Sequence, residues 1–283
     1  IKQNTPTVGD QSNTDFKIIG NISLATLNGA DAVWKMGDAA TISWTRTGSA
    51  QGTLFNNFRI DFSTDNTFAS GVVSIDSDIT LAEASCSGDT GCDFNWTPDA
   101  TTFTTNISAT AVYYIRVMDP DQNEAKAVSP NRFELAGKTT LTTLAAADAI
   151  FKVGTAVSID WTKSGNLKTT HFDNFKIEFS NASDFLSGVT VIDADVTFAE
   201  ASCSGDDSCT YSWMPDAATY STLMSTTADY YLRVYDPDNL DTKSQSNPYR
   251  FELRGDITLT TLQGADAIYK IGTPTSIDWT KKG

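Results

Sequence analysis

Histidine is nearly absent from this 283-residue sequence, and no run of 18 apolar residues occurs in it. The single histidine, His171, leaves no Ser-His-Asp constellation and no H-E-x-x-H zinc motif. A glycine-rich phosphate loop is also missing. We therefore expect no enzymatic activity and no cofactor. Because a membrane-spanning helix needs about 20 apolar residues, the sequence also predicts no membrane insertion.

Positive charge is scarce as well. Twenty lysines and arginines stand against 35 aspartates and glutamates, which gives a net charge of −15. Nucleic acids and anionic lipid surfaces attract basic proteins, so both are disfavoured as partners. An acidic balance of this size is typical of a soluble, self-repelling surface protein or of one that works in salt or calcium.

Cysteine is limited to four residues, which form two pairs in related heptapeptides. CSGDTGC contains Cys86 and Cys92, and CSGDDSC contains Cys203 and Cys209. A zinc site would need further ligands, and the chain has one histidine to offer. The spacing therefore predicts one disulfide for each pair, Cys86–Cys92 and Cys203–Cys209. Such bonds indicate an oxidising setting, and we expect an extracellular or cell-surface protein.

The rest of the sequence is an internal repeat. Cys86 and Cys203 are 117 positions apart, and the same spacing separates Trp44 from Trp161. Two whole repeats are predicted, at 20–137 and 138–255. Residues 1–19 resemble the closing strand of a preceding repeat, and residues 256–283 resemble the opening strands of a following one.

Because both ends of the sequence fall inside a repeat, we expect the sequence to be a segment of a longer tandem array. An arbitrary boundary is one alternative. Another is that the opening strands of one chain complete the closing strand of the next.

Short alternating runs of apolar and polar residues predict strands rather than helices. ATISWTR and AVSIDWTK place Ile and Trp on one face, and FRIDFS and FKIEFS place Phe and Ile there. DFNWTPD and TYSWMPD end at a proline, which cannot donate into a strand ladder. About seven strands per repeat of about 117 residues predict an all-β fold of tandem immunoglobulin-like or fibronectin-III-like β-sandwiches.

The predicted connection between repeats is short. RFELRGDITLTTL, from Arg250 to Leu262, contains no proline and no Ser/Gly tract. A single glycine marks each junction, at Gly20, Gly137 and Gly255. A closing strand that runs almost directly into the next opening strand leaves little hinge freedom. We expect stiff, coaxial repeats.

The motif W-x-x-G-x₄-I-x-W-T-x-x-G, followed by F-x-W-x-P, Y-x-I-R-V and S-x₃-F-x-L, resembles the Kre9/Knh1-type domain. This family is also described as the Ser-Thr-rich, GPI-anchored membrane family of small immunoglobulin-like surface modules. In the first repeat the motif residues are Trp34, Gly37, Ile42, Trp44, Thr45, Trp96, Pro98, Tyr114, Arg116, Val117 and Phe133. In the second they are Phe151, Gly154, Ile159, Trp161, Thr162, Trp213, Pro215, Tyr231, Arg233, Val234 and Phe251. The resemblance implies cell-wall or surface placement and brings no active site.

A calcium site is the one metal candidate. DPDQNE contains Asp119, Asp121 and Asn123 in a D-x-D-x-N pattern that suits a hard cation. The second repeat has Asp236 and Asp238 but a leucine at the third position. A turn with proline at its second position explains both segments equally well.

Three further patterns concern sugars. The pairs Asp76/Asp78 and Asp193/Asp195 are candidate glycosidase carboxylates, but a D-x-D strand is more often a solvated surface. Exposed aromatic side chains would indicate a sugar platform, but the tryptophans occupy inward-facing strand positions, where core packing is favoured. Tyr113 and Tyr230 alternate with Tyr114 and Tyr231, so one tyrosine of each pair is expected to face solvent. Glycosylation sequons begin at Asn21, Asn95, Asn106 and Asn181, in numbers no greater than chance.

These observations favour a structural role: repeats of a long extracellular or cell-surface protein that acts as a stalk, fibre or adhesin shaft. The expected partners are neighbouring repeats and other copies, end to end or laterally. The alternative is a carbohydrate- or cell-wall-binding module, accessory to a secreted enzyme. A glycan partner belongs to that alternative.

Overall fold

In the computed structural model, the described residues are 13–48, 55–88, 91–165, 172–204, 208–261 and 268–283. His171 lies outside them. Within these ranges no helix has the length and apolar character needed to cross a membrane. The chain divides into two compact units. The first comprises Ile1–Ala30, Thr41–Trp96 and Tyr113–Arg132, and the second comprises Asp31–Ala40, Thr97–Val112 and Phe133–Gly283.

Alternating sequence forms the strands of the first repeat. Their bounds are β1 (Asn21–Leu24), β2 (Ala32–Lys35), β3 (Ala40–Thr47), β4 (Asn57–Ser63), β5 (Val73–Thr80), β6 (Gly91–Trp96), β7 (Tyr114–Asp119), β8 (Gln122–Val128) and β9 (Phe133–Ala136). A 3₁₀ turn, Thr104–Asn106, lies between β6 and β7. The strands form sheets in the orders β1-β3-β6 and β5-β4-β7-β8, and β2 pairs with β9.

The second repeat reproduces this order. Its strands are β10 (Lys138–Leu141), β11 (Ala149–Lys152), β12 (Val157–Ser164), β13 (Asn174–Ser180), β14 (Val189–Thr197), β15 (Ser208–Trp213), β16 (Tyr231–Asp236), β17 (Asn239–Gln245) and β18 (Phe251–Arg254). The sheet orders are β10-β12-β15 and β14-β13-β16-β17, and β11 pairs with β18. A helical turn, α1 (Ala217–Tyr220), begins where the Asp216 side chain accepts hydrogen bonds from the amides of Ala218 and Thr219.

This layout is that of an immunoglobulin-like sandwich. A three-stranded sheet opposes a four-stranded one, and the closing strand pairs in parallel with the short second strand, as in Ala149–Lys152 against Phe251–Arg254. Pairings elsewhere in the sandwiches are antiparallel, for example β10 with β12 and β13 with β16. The predicted fold class, all-β with tandem immunoglobulin-like repeats, is confirmed.

The core of each sandwich is aromatic. In the first compact unit Trp44 of β3 packs edge-on against Phe58 of β4, with ring centroids 5.1 Å apart. Trp161 and Phe175 repeat this contact at the same separation in the second unit. All four side chains are buried. The inward orientation predicted from the period-2 pattern is confirmed for these tryptophans, and such edge-to-face pairs add to the energy of apolar burial.

A buried ion pair stabilises each four-stranded sheet. The Asp61 carboxylate, fully buried, accepts hydrogen bonds from Arg59 Nε at 2.7 Å and Arg116 Nη2 at 2.6 Å. In the second repeat Arg233 donates to Glu178 and lies 4.2 Å from the ring centroid of Phe185. The motif arginines at positions 116 and 233 therefore neutralise a buried carboxylate, which would be costly to bury alone.

Both predicted disulfides are present. Cys86 bonds to Cys92 and Cys203 bonds to Cys209, and the described residues contain no free cysteine. Each bond bridges a small loop, since Ser87 pairs with Gly91 and Ser204 with Ser208 as isolated bridges. The disulfides therefore clip one loop in each repeat rather than joining the two sheets.

Beyond the second repeat lies one more strand pair. Strands β19 (Asp256–Leu259) and β20 (Trp279–Lys282) are antiparallel, with Leu259 opposite Trp279. That register matches Leu141 opposite Trp161 in the second repeat. The opening sequence of a repeat therefore adopts its strand pairing here as well.

Candidate functional site

The junction at Gly137 lies within the second compact unit and is closely packed. Gly137 sits directly against the ring of Phe172, and a Cβ at this glycine would lie 2.6 Å from Phe172 Cγ. The Phe172 ring is fully buried. Glycine is present because the ring occupies the place of a side chain, so the junction glycine serves close packing rather than hinge motion.

A buried carboxylate holds Phe172 in place. The backbone amide of Phe172 donates to Asp236 Oδ2 at 2.9 Å, and the amide of Asp238 donates to Asp236 Oδ1 at 2.9 Å. Burial raises the pKa of Asp236, while these two backbone hydrogen bonds act in the opposite direction. Phe172 has a left-handed backbone, with φ of 59°, which is uncommon for a bulky side chain. The hydrogen bond to Asp236 contributes to holding that conformation.

This geometry bears on the predicted calcium residues. Asp236 precedes the two-residue turn between β16 and β17, and Asp238 is the second residue of that turn. Asp119 and Asp121 occupy the equivalent places between β7 and β8, where the Asp121 amide donates to Asp119 Oδ1 at 2.9 Å. Asn123 follows in β8 and is exposed. Among the described residues no group of three or more His, Cys, Asp or Glu side chains is arranged to hold a metal ion. Calcium binding stays a prediction. The alternative, that both segments are turns, accounts for the hydrogen bonds described here.

A second polar contact joins the end of one repeat to the next. Asn239 Nδ2 donates to Glu134 Oε1 at 2.5 Å and to the backbone oxygen of Ser108 at 3.3 Å. Asn239, Glu134 and Ser108 are all buried. A hydrogen bond to a charged group contributes about 1.5–3 kcal/mol. The contact therefore holds the Asn239 turn against Glu134 and Ser108.

The strand that leaves the junction is fixed from its other side. Thr139 Oγ1 lies 2.6 Å from the Thr242 oxygen and 3.2 Å from the Val234 oxygen, and the Leu141 amide donates to Ser244 Oγ at 2.8 Å. At the periphery Lys138 Nζ donates to Asp38 Oδ1 at 2.5 Å. The residues that directly follow Gly137 are thus held by hydrogen bonds, and no unbonded linker separates the glycine from β10.

At the next junction, at Gly255, residues at equivalent repeat positions make a similar glycine contact. Gly165 approaches Ile107 Cδ1 at the first junction, and Gly283 approaches Met224 Sδ at the second. In sequence, Gly283 corresponds to Gly165 and Met224 to Ile107. A peripheral ion pair also occurs here, since Lys152 Nζ lies 3.1 Å from Asp256 Oδ1. Asp256 stands at the position of Lys138, but Lys152 corresponds to Lys35 rather than to Asp38. The two junctions therefore share the contact between a glycine and the tip residue, while their ion pairs differ.

The candidate glycosidase carboxylates are engaged in local structure. Asp193 Oδ1 accepts from the Asp195 amide at 3.0 Å, and Asp193 Oδ2 accepts from the Tyr211 hydroxyl at 2.9 Å. Burial first, and then this hydrogen bond, raises the pKa of Tyr211 to about 12. In the first repeat Asp76 Oδ1 accepts from the Asp78 amide at 3.0 Å. The pairs shape an irregular strand edge.

The candidate sugar platforms pack against the core. Tyr113 contacts Phe62 with ring centroids 5.0 Å apart, and Tyr230 contacts Phe179 at 5.1 Å. Both tyrosines are half-buried, and the Tyr230 hydroxyl donates to the Leu223 oxygen at 2.7 Å. The rings of Tyr113 and Tyr230 therefore pack mainly against core side chains and leave little surface for a sugar.

Comparison with known proteins adds folds of the same general kind. No family model matches this chain, and no curated protein sequence matches it. Among solved structures it is similar to tandem immunoglobulin domains of titin, at 9% identity and a TM-score of 0.25, over 84% of this chain and 99% of that chain. It is also similar to three N-terminal domains of the outer capsid protein Hoc of bacteriophage RB49, at 10% identity and a TM-score of 0.23, over 83% of this chain and 70% of that one.

A third structure, the first two immunoglobulin domains of Dpr2 in a complex with DIP-Theta, has 8% identity and a TM-score of 0.25, over 82% of this chain and 98% of that one. Similarity at these TM-scores carries no argument about function. The fold class rests on the strand order and pairing described above.

Sequence reasoning missed most of the junction residues. Asn239 and Glu134 are 105 positions apart, and nothing in either local pattern predicts their contact. One signal was available: Phe55 and Phe172 recur at the repeat spacing, each 35 positions after a junction glycine. A fixed interval between a glycine and a bulky residue is compatible with close packing between the two.

Proposed function

We propose that this chain is a structural segment of a long extracellular or cell-surface protein, in which tandem sandwiches act as a stiff stalk, fibre or adhesin shaft. Kre9/Knh1-type family membership is part of the proposal. The observation that carries it is the buried contact of Asn239 with Glu134 and Ser108 beside the packed Gly137–Phe172 pair. A spacer with independent domains has no need for buried polar contacts at its junctions.

Two other features support the surface setting. The disulfides Cys86–Cys92 and Cys203–Cys209 are typical of oxidising compartments. A net charge of −15 favours solubility and opposes nonspecific association between chains. The carbohydrate-binding alternative has less support, because Tyr113 and Tyr230 are half-buried against core rings.

The stiffness is testable with spin labels on exposed side chains of the two repeats. Val72→Cys and Leu186→Cys supply one labelling site in each, and both parent side chains are exposed. Double electron–electron resonance should give one narrow distance distribution. A matched chain with a Gly-Ser insert after Gly137 should give a broad one. Equal widths in the two chains would contradict the proposal.

A further inference from the structure

A cavity of about 240 Å³ in the first compact unit lies among Lys17, Gly20, Phe55, Asp119 and Gln122, with Ile18 and Ile19 alongside. Gln122 Oε1 is buried there without a hydrogen-bond partner among the described residues. A buried acceptor left unsatisfied is costly, so its position points to a missing partner.

Each of these positions has a counterpart at the Gly137 junction. Gly20 corresponds to Gly137, Phe55 to Phe172, Asp119 to Asp236, and Gln122 to Asn239. The glycine–phenylalanine packing is the same, since a Cβ at Gly20 would lie 2.5 Å from Phe55 Cε1. The cavity is therefore the receiving half of a repeat junction.

At the complete junction this place is filled. The Ile107 side chain lies against Gly165, and the Ser108 oxygen accepts from Asn239 Nδ2. Ile107 and Ser108 follow the 3₁₀ turn Thr104–Asn106 and are buried. Gln122 offers a carboxamide in the equivalent position, one methylene longer. Its Nε2 can donate to a carbonyl oxygen of an incoming tip, as Asn239 Nδ2 does to Ser108, and its unpartnered Oε1 requires a donor such as a backbone amide.

We propose that this cavity is a socket for the end of another β-sandwich repeat of the same kind, whose tip presents an aliphatic or methionine side chain followed by serine after a 3₁₀ turn. The inference rests on the proposed structural function and names its partner. This chain contains a second such tip, Met224–Ser225, after the turn Ser221–Leu223. In the full chain the Gly283 segment lies against Met224.

The test uses chains that end at Arg254, which uncovers the Met224 tip. The buried hydrophobic core contains no described residue beyond Leu253, so these chains should keep their fold, and circular dichroism verifies it. One chain carries Gln122→Cys and the other Ser225→Cys. The described native cysteines are all in disulfides. A short bismaleimide is added to the mixture, and mixed dimers are counted by mass spectrometry.

We expect several-fold more 122–225 dimer than in a control that pairs Gln122→Cys with Leu186→Cys, a site exposed elsewhere on the second repeat. Adding Met224→Asp to the tip should return the yield to the control value. A 122–225 yield equal to the control, or one insensitive to Met224→Asp, would overturn the socket. Neither result bears on stiffness at Gly137, which the spin-label widths measure separately.

Discussion

Strands β10 and β12 and strands β19 and β20 carry nearly the same sequence, yet they lie in opposite environments. Leu141 opposes Trp161, and Leu259 opposes Trp279, in the same register. Trp161 is 1% exposed and Trp279 is 60% exposed. Ile159 and Ile277 differ in the same way, at 0% and 64%.

This difference in exposure shows that strand pairing and side-chain burial depend on different parts of the repeat. Strand pairing follows the local sequence, because β19 and β20 pair in the same register as β10 and β12. Burial depends on the later strands of the same repeat, since Trp161 packs on Phe175 of β13. No described residue covers Trp279 in the same way. Most of the stabilising free energy therefore comes from the packing of the two sheets rather than from the opening pair.

The largest expected effect sets Trp161→Ala against Trp279→Ala. Truncating a buried tryptophan removes apolar contacts and leaves a cavity, at a cost of about 3–5 kcal/mol. Trp279→Ala should change stability by no more than about 0.5 kcal/mol, as for an ordinary surface site. Urea unfolding followed by circular dichroism gives both values. A similar loss in the two variants would show that the open pair is covered in solution.

Second in size is removal of the Cys203–Cys209 bond by serine at both positions. By loop entropy, a seven-residue loop contributes about 2.4 kcal/mol. The thermal transition of the second repeat should fall, while the first repeat, with Cys86–Cys92 intact, keeps its own. Differential scanning calorimetry resolves the two events. An unchanged second transition would mean that the clipped loop is already ordered without the bond.

Next comes Gly137→Ala, with Gly29→Ala as its matched control. A methyl group at 137 collides with the buried Phe172 ring, and such overpacking costs about 1–3 kcal/mol. Gly29 has no atom within 4 Å of its Cβ position, and the second repeat has Ala146 there. Chemical denaturation should show a loss only for Gly137→Ala. Equal stability of the two variants would remove the packing role assigned to the glycine.

The smallest effect appears only in alkali. The pKa of Tyr211 is raised to about 12, because burial and the bond to Asp193 favour the neutral phenol. An unfolded tyrosine ionises near pH 10. Stability contributed by the neutral phenol is therefore complete below pH 10 and declines as the pH rises from about 10 to about 12.

Tyr211→Phe should flatten that decline, and it copies the first repeat, which has Phe94 at this position. Ultraviolet titration at each pH measures the ionised tyrosines, and the variant should lose the latest step. An unchanged titration curve would contradict the assignment.

Much of the fold was predictable from the sequence, because a buried strand records its own orientation. The alternation around Trp44 and Trp161 gave the core face, and the paired heptapeptides gave both disulfides. The junction was different. Asp236 read equally as a calcium ligand or as part of a turn, and its bond to the Phe172 amide depends on two segments that meet only after folding. Nor does a lone glycine in a sequence distinguish a hinge from a close contact.

The central proposal is that the Gly137 junction holds the two repeats as one stiff body in solution. Residual dipolar couplings of backbone amides, collected for both repeats in one weakly aligned sample, test it most directly. A single alignment tensor, with one magnitude and rhombicity, should fit both repeats, and Asn239→Ala should weaken that agreement. Two tensors of clearly different magnitude in the unmodified chain would contradict the account.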